Sequence, residues 1–489
     1  MLQQILRLGK DSLIYGVGSV VMRFIGLLLL PVFTTYLTPE DYGILAMLAI
    51  LSMIAQPVFS LGLSAAMGPS YFQGGDLEAK AKTVWTALAI HTVMGVMLVF
   101  LAWLLPSQLC RLVMLDPDNA MLVSLSLTGC AITILSTSMT QRVMFEQQAG
   151  LYVAITLATA IISLSLSVLL VAFLDWGVLG MVVAQLAGNL IAFLALFSVS
   201  IRTTKPAFSR ETLLELLRLG FPMVPSFAFL FIITHSNKYL IEWLIGIKAV
   251  GVYAIGFNMG MVLSILTSGI ATAWYPFFMS YIERQKEVEV LFGKIFTYYV
   301  FCCGTICLLF FFFAKPVVIL LTKSPFHDAH QIVGWIALSF MFQGAFNFFL
   351  PGFYYLKEIK YVTVIQGIAA VVSLAVNYPL ISIIGTTGAA IGIAVSNLIM
   401  IILVQFWNTY RKSAYPNILF EWNRVVQFIC IFIAFLIIRR FVAADSIAQE
   451  LVVSMLLSVF SISSIYFLLD EKEKSLLKSN LLFGVGKTL

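Results

Sequence analysis

Apolar stretches long enough to cross a bilayer recur along the whole chain, and little else separates them. A membrane helix needs roughly 20 mostly apolar residues. Such stretches lie near 12–34, 43–66, 83–105, 119–139, 151–173, 177–200, 221–245, 250–275, 295–321, 331–354, 361–383, 386–408, 424–441 and 449–469. Charge content agrees: 11% of residues are charged and 61% hydrophobic, against about 25% charged in soluble domains. The pattern predicts an all-α polytopic membrane protein of about fourteen transmembrane helices. It excludes a soluble enzyme and a nucleic-acid partner.

With the N-terminus in the cytoplasm, 21 of the 29 Lys and Arg residues fall in cytoplasmic loops and tails. That is the positive-inside asymmetry, and an even span count puts both termini there. The expected location is the inner, or plasma, membrane. The first span lacks a small-residue cleavage site and is read as retained. The six cysteines lie mostly in apolar runs without a C-x-x-C spacing, so neither a disulfide framework nor a zinc site is expected. No cofactor is expected.

The chain repeats itself. "GVLGMVVAQLAGNLIAF" from Gly177 matches "GTTGAAIGIAVSNLIMI" from Gly385. At that offset Gly180 meets Gly388, Asn189 meets Asn397 and Gly43 meets Gly251. "LRLG" precedes spans one and seven, at 6–9 and 217–220. Six-span halves keep the same orientation, so they form parallel repeats. The expected organisation is an N-terminal lobe (1–200), a cytoplasmic amphipathic linker (201–220) and a C-terminal lobe (221–408). Two added spans (409–469) and a cytoplasmic tail (470–489) follow. Two such lobes around a central cavity suit a transporter that alternates access.

"LTPEDYGILAML" after span one, "LGFPMVPS" opening span seven and "GIKAVGVYAIGFNMG" after it resemble the Wzx-type flippases, the polysaccharide exporters of the multidrug/oligosaccharidyl-lipid/polysaccharide superfamily. The likeness covers nearly the whole chain. It implies a fourteen-helix, two-lobe fold. The implied activity is movement of an undecaprenyl-pyrophosphate-linked oligosaccharide, such as an O-antigen, capsule or exopolysaccharide repeat unit, to the outer face of the membrane. Implied partners are that lipid-linked sugar, membrane lipids and polysaccharide assembly machinery. Two complete lobes would suffice as a monomer. Many relatives carry an Asp-Arg pair where this chain has Asn237-Lys238, which keeps the charge but loses the fork geometry of Arg.

Ionisable residues inside spans are costly unless they face a wet cavity or a partner. Arg23 in span one and Lys238 in span seven are one cation per lobe, placed to straddle a pyrophosphate. The alternatives are a structural bond to carbonyls for Arg23, and for Lys238 a pair with Glu242 one turn away or snorkelling. Lys315 is read as snorkelling, and Glu242 as the one embedded acid. Asn237, Gln56, Asn258, Gln343 and Asn347 are polar cavity candidates for sugar hydroxyls, with interhelical hydrogen bonding as the competing reading. Gln343 and Asn347 are spaced i, i+4 and would share a face. His91 reads as a helix-contact histidine, "HDAH" at 327–330 as a solvated loop and "CCGTIC" at 302–307 as packing. Pro222 and Pro225 open span seven as a hinge or a plain helix start. Glu40 and Asp41 are placed in a short outer loop, and Gly43 and Gly251 in two matching hairpin turns at a gate.

Two other functions compete. A cation-coupled multidrug antiporter of the same superfamily would carry an embedded acid in the N-terminal lobe, and spans one to six contain no central Asp or Glu. A membrane-embedded polymerase or ligase would carry a sizeable outer loop, and these loops are short. The sequence reads as a transporter, not an enzyme.

Overall fold

The computed structural model describes residues 20–21, 24–73, 76–281, 289–356, 358, 360–410, 418–442, 446–468, 470–471 and 473–474. Among them the chain is all-helical, without a strand. The principal helices are α1 (Leu30–Tyr36), α2 (Pro39–Phe59), α3 (Leu63–Gln73), α4 (Leu77–Leu104), α5 (Ala120–Phe145), α6 (Ala149–Val168), α7 (Gly177–Thr203) and α8 (Arg210–Gly220). There follow α9 (Val224–Leu244), α10 (Ile247–Gly260), α11 (Leu263–Met279), α12 (Glu289–Leu321), α13 (His330–Phe346), α14 (Lys360–Ile384), α15 (Thr386–Tyr410), α16 (Trp422–Phe441) and α17 (Ile447–Leu468).

Ten helical stretches among the described residues are long and apolar enough to span a bilayer, and twelve if each of two bent pairs is one span. The bent pairs are the expected spans seven and eight, broken by 43° between Met223 and Phe227 and by 47° between α10 and α11. The two expected spans not among the twelve are the first, part of which lies outside the described residues, and α16. The chain is a multi-pass membrane protein.

Local chemistry sets the helix starts. Thr38 caps α2: its hydroxyl accepts from the Asp41 backbone N–H at 3.2 Å, and the Asp41 carboxylate accepts from the Thr38 N–H at 2.8 Å. This is a capping box with Pro39 at the first helical position. It corrects the loop assignment. Glu40 and Asp41 form the first turn of α2, and Gly43 lies inside the helix, buried. Capping lets the helix begin right after Thr38, which leaves Leu37 and Thr38 as the whole connection from α1.

The far end of α2 is a true break. Leu61 (φ 51°) and Gly62 (φ 66°) are both left-handed, a few residues after Pro57. A Cβ on Gly62 would lie 2.3 Å from the Gly220 carbonyl oxygen, so the break is also a close approach to the end of α8.

The repeat is visible atom by atom. Gly177 (φ 53°) and Gly385 (φ 64°) both take the left-handed conformation at the start of a helix. Asn189 on α7 donates its amide to the Gly129 carbonyl on α5 at 3.2 Å. Its counterpart Asn397 on α15 donates to the Ser339 carbonyl on α13 at 3.1 Å. The two matched asparagines thus each donate to a backbone carbonyl of a neighbouring helix.

The chain divides into two compact units. The first holds Met1–Ile255, Leu321–Asp328 and Gln366–Ser396; the second holds Gly256–Leu320, Ala329–Ile365 and Asn397–Leu489. In the first, Leu216 of α8 is fully buried against Leu63, Met67, Tyr71, Val84 and Ala87. The amphipathic linker therefore docks on α3 and α4, with Leu214 and Leu219 left exposed. His91 is buried there too, its Nδ1 2.7 Å from the Ser138 hydroxyl, as a helix-contact histidine should be.

In the second unit, ion clusters tie the two added helices to α12. Glu450 of α17 is buried between Lys315 of α12 and Arg439 of α16. It is a second embedded acid beside Glu242, and it gives Lys315 a partner where snorkelling was expected. Near the opposite ends of these helices, Arg424 holds Glu473 at 2.7 Å and Glu421 at 2.9 Å, and the Tyr298 hydroxyl donates to Glu473.

Candidate functional site

One face of α9 carries Phe227, Leu230, Phe231, Thr234 and His235, spaced i, i+3, i+4, i+7 and i+8. Opposite it, α2, the break and α3 present Met53, Gln56, Pro57, Ser60 and Ser64. Together they line a cleft of about 430 Å3 within the first unit. The helical period aligns the α9 residues, and the break at Leu61–Gly62 turns Ser60 and Ser64 to the same side as Gln56. The Phe231 and His235 rings lie 5.7 Å apart, centroid to centroid.

Among the described residues, the cavity lining has no carboxylate, ammonium or guanidinium group. The side chains of Gln56, Ser64 and Thr234 make no hydrogen bond among the described residues. A second cavity of about 170 Å3 in the same unit differs. Its Thr133, Ser136, Thr140, Thr156 and Thr159 hydroxyls all donate to the carbonyl four residues earlier. Hydrogen-bonding groups in an apolar wall are met by water or a ligand when protein does not meet them. The first cavity therefore has hydrogen-bonding capacity that the second lacks.

The α9 face continues beyond the cavity. Lys238 is one turn on from His235 and only 6% exposed, and Glu242 is one turn further, with Oε2 buried. Asn237 faces elsewhere: it is fully buried and donates to the Tyr253 hydroxyl on α10.

The other sequence candidates fall in different places. Arg23 lies outside the described residues. Asn258 is exposed on α10, in the second unit. Gln343 is half-buried near the end of α13. Asn347 lies just past that helix, still in the right-handed helical conformation; its amide donates to the Gln343 and Gly344 carbonyls, closing the helix end. His327 sits in a short 3-10 segment and His330 opens α13, with no metal-binding cluster among the described residues. Pro222 lies in the 3-10 turn Phe221–Met223, and Pro225 in the first turn of α9, at the 43° bend.

Gly43 and Gly251 mark a helix crossing. A Cβ on Gly251 would lie 1.8 Å from the Pro39 carbonyl oxygen and 2.9 Å from the Gly43 nitrogen. A Cβ on Gly43 would lie 2.2 Å from the Ile247 carbonyl oxygen. The starts of α2 and α10 thus touch backbone to backbone, which no other residue permits. Exposed Glu40 and Lys248 face each other across this crossing at 3.7 Å.

Outside the spans, one carboxyl is strongly perturbed. Burial pushes Glu473 up, but hydrogen bonds from Arg424, Tyr298 and the Asp470 backbone outweigh it and hold the group at about 2.

Residues 8–282 match the profile of the polysaccharide biosynthesis protein family. The chain belongs to that family. A protein of the Lsg locus of Haemophilus influenzae is 23% identical over 287 residues, covering 57% of this chain and 68% of that one. Among solved structures, the fold is similar to "Lipid II flippase MurJ, inward closed conformation", with TM-score 0.72 at 13% identity, covering 93% of this chain and 99% of that one. It is also similar to the inward-facing conformation of a multidrug resistance MATE family transporter, with TM-score 0.68 at 16% identity, covering 84% and 98%. The chain thus has the fold of these solved transporters.

The sequence reading missed Ser60, Ser64, Thr234, Phe227 and Phe231. The signal was available: "QPVFSLGLS" pairs a helix-bending proline with a glycine five residues later, the pattern of a broken span that exposes polar groups.

Proposed function

We propose that this protein is a flippase that moves an undecaprenyl-pyrophosphate-linked oligosaccharide across the inner membrane by alternating access. The match of residues 8–282 to the polysaccharide biosynthesis family carries this reading. The cavity between α2, α3 and α9 takes the headgroup sugar, with Gln56 among its donors. Lys238, on the same face of α9, neutralises the pyrophosphate as a point charge, with Arg23 as the second cation. Asn237 positions α9 against α10. Asn258, Gln343 and Asn347 line the path in the other repeat.

In this reading the two repeats are the lobes that rock. The Gly43–Gly251 crossing is the outer gate, and the Pro222–Pro225 bend is a hinge. Both termini lie in the cytoplasm, and the protein works as a monomer beside the polysaccharide assembly machinery. A cation-coupled multidrug antiporter is the second reading, and the MATE-like fold supports it.

Deletion in the native host decides between them. A flippase deletion abolishes surface polysaccharide and accumulates lipid-linked repeat units on the cytoplasmic face. Intact polymer with increased drug sensitivity would favour the antiporter.

A further inference from the structure

The cavity between α2, α3 and α9 has two kinds of wall. Phe227, Phe231, Leu230, Met53 and Pro57 are apolar; Gln56, Ser60, Ser64, Thr234 and His235 are polar. Among the described residues, no fixed charge of either sign lies on it. Gln56, Ser64 and Thr234 have hydrogen-bonding capacity that the described protein does not use. The volume of about 430 Å3 lies within the ~300–1,000 Å3 usual for small-molecule sites.

We infer that this cavity selects an uncharged sugar and rejects an acidic one. A pyranose has an apolar C–H face and an equatorial ring of hydroxyls. Phe227 and Phe231 offer flat apolar surface to the first, and Gln56, Ser64 and Thr234 can donate to and accept from the second. An N-acetyl group adds one donor and one acceptor that an amide such as Gln56 can pair. A sugar carboxylate would leave water here without meeting a cation, a cost that neutral hydroxyls do not repay. Lys238, the nearest fixed cation along the α9 face, lies a turn beyond the lining and is buried. It is placed for the pyrophosphate end, not for the sugar ring. Selection therefore acts on the charge of the sugar nearest the carrier, whatever follows it in the repeat unit.

This rests on the flippase reading, and the test separates the two. Full-length protein in nanodiscs is titrated at pH 8, where an imidazole of ordinary pKa is neutral. The probes are undecaprenyl pyrophosphate bearing one N-acetylhexosamine, the same carrier bearing one hexuronic acid, and the bare carrier. The N-acetylhexosamine form binds at least tenfold tighter than the hexuronic acid form. Thr234→Lys and, separately, Gln56→Lys bring a cation to the wall and cut that ratio at least fivefold, chiefly by tightening the acidic form. Phe231→Leu weakens the neutral form and leaves the bare carrier unchanged. Equal binding of the two sugars by the native protein overturns the inference while leaving the flippase reading in place. An unaltered ratio in both lysine variants overturns it as well. Failure of all three probes to bind overturns the flippase reading itself.

Discussion

Gly251→Ala tests the helix crossing most directly. The added methyl would sit 1.8 Å from the Pro39 carbonyl oxygen and 2.8 Å from its carbon. Ordinary contact begins near 3.4 Å, so α2 and α10 must separate by about 1.6 Å to admit it. Both obstructing atoms are backbone, and the Thr38–Asp41 capping box fixes that backbone, so no rotamer change relieves the clash. Overpacking of this kind costs about 1–3 kcal/mol. That corresponds to roughly a 5- to 150-fold loss in the population of the closed crossing, at 1.4 kcal/mol per factor of ten.

Cysteines at positions 40 and 248 report the crossing, because these residues adjoin the backbone contacts of Pro39 with Gly251 and of Gly43 with Ile247. Copper-phenanthroline crosslinking of Glu40→Cys/Lys248→Cys should be fast, and Gly251→Ala on that background should slow it at least fivefold. Gly269→Ala is the control, since a Cβ there meets nothing within 4 Å. Its crosslinking should match that of the native background. An equal rate in the Gly251→Ala protein, with native thermal stability, would refute the backbone-contact reasoning.

Three further outcomes follow from the same geometry. Thr38→Ala removes the cap of α2 and should cost about 0.5–2 kcal/mol, read as a lower melting temperature in detergent. Glu450→Gln leaves Lys315 and Arg439 without their buried carboxylate and should destabilise by up to about 3–5 kcal/mol; adding Lys315→Met should recover part of that loss in the same melting assay. Glu473 is held at about 2 against an ordinary 4.5. Its contribution is complete above the ordinary value and is lost as pH falls through the lowered one. The melting difference between native protein and Glu473→Gln should therefore be full at pH 6, shrink below pH 4.5 and approach zero near pH 2.

What the sequence disclosed depended on the range of each interaction. Spans and the repeat were legible because a bilayer imposes about 20 apolar residues on each crossing, and because Asn189 and Asn397 sit in recognisably similar words. Gly43 and Gly251 were legible as a pair, but their contact was not. A glycine at a turn and a glycine at a crossing look alike in one dimension, and only the Pro39 and Ile247 carbonyls distinguish them. Glu450 escaped notice because it opens a span and its partners are 135 and 11 residues away. Asn347 was legible only as a polar residue in a span: that it closes the end of α13 through the Gln343 and Gly344 carbonyls depends on where the helix stops.

The cavity and the two glycine contacts belong to one device. The helix α2 touches α10 at its first turns through Gly43 and Gly251, and the break after it touches α8 through Gly62 and Gly220. Between these contacts its Met53–Ser60 stretch forms one cavity wall. The chain from Gly220 to Gly251 is α9 with its flanking turns, and α9 is the opposite wall. Both walls are therefore pinned at both ends by backbone contacts, and the segment between them is free to present side chains. A substitution at any of the four glycines must change the spacing of the walls, and one at Gly43 or Gly251 must also change the seal at the crossing. Gly220→Ala, whose Cβ would lie 2.6 Å from the Leu61 carbonyl oxygen, should weaken headgroup binding without slowing the 40–248 crosslink, while Gly251→Ala should affect both. Slowed crosslinking in Gly220→Ala would mean that the break and the crossing move as one rigid piece.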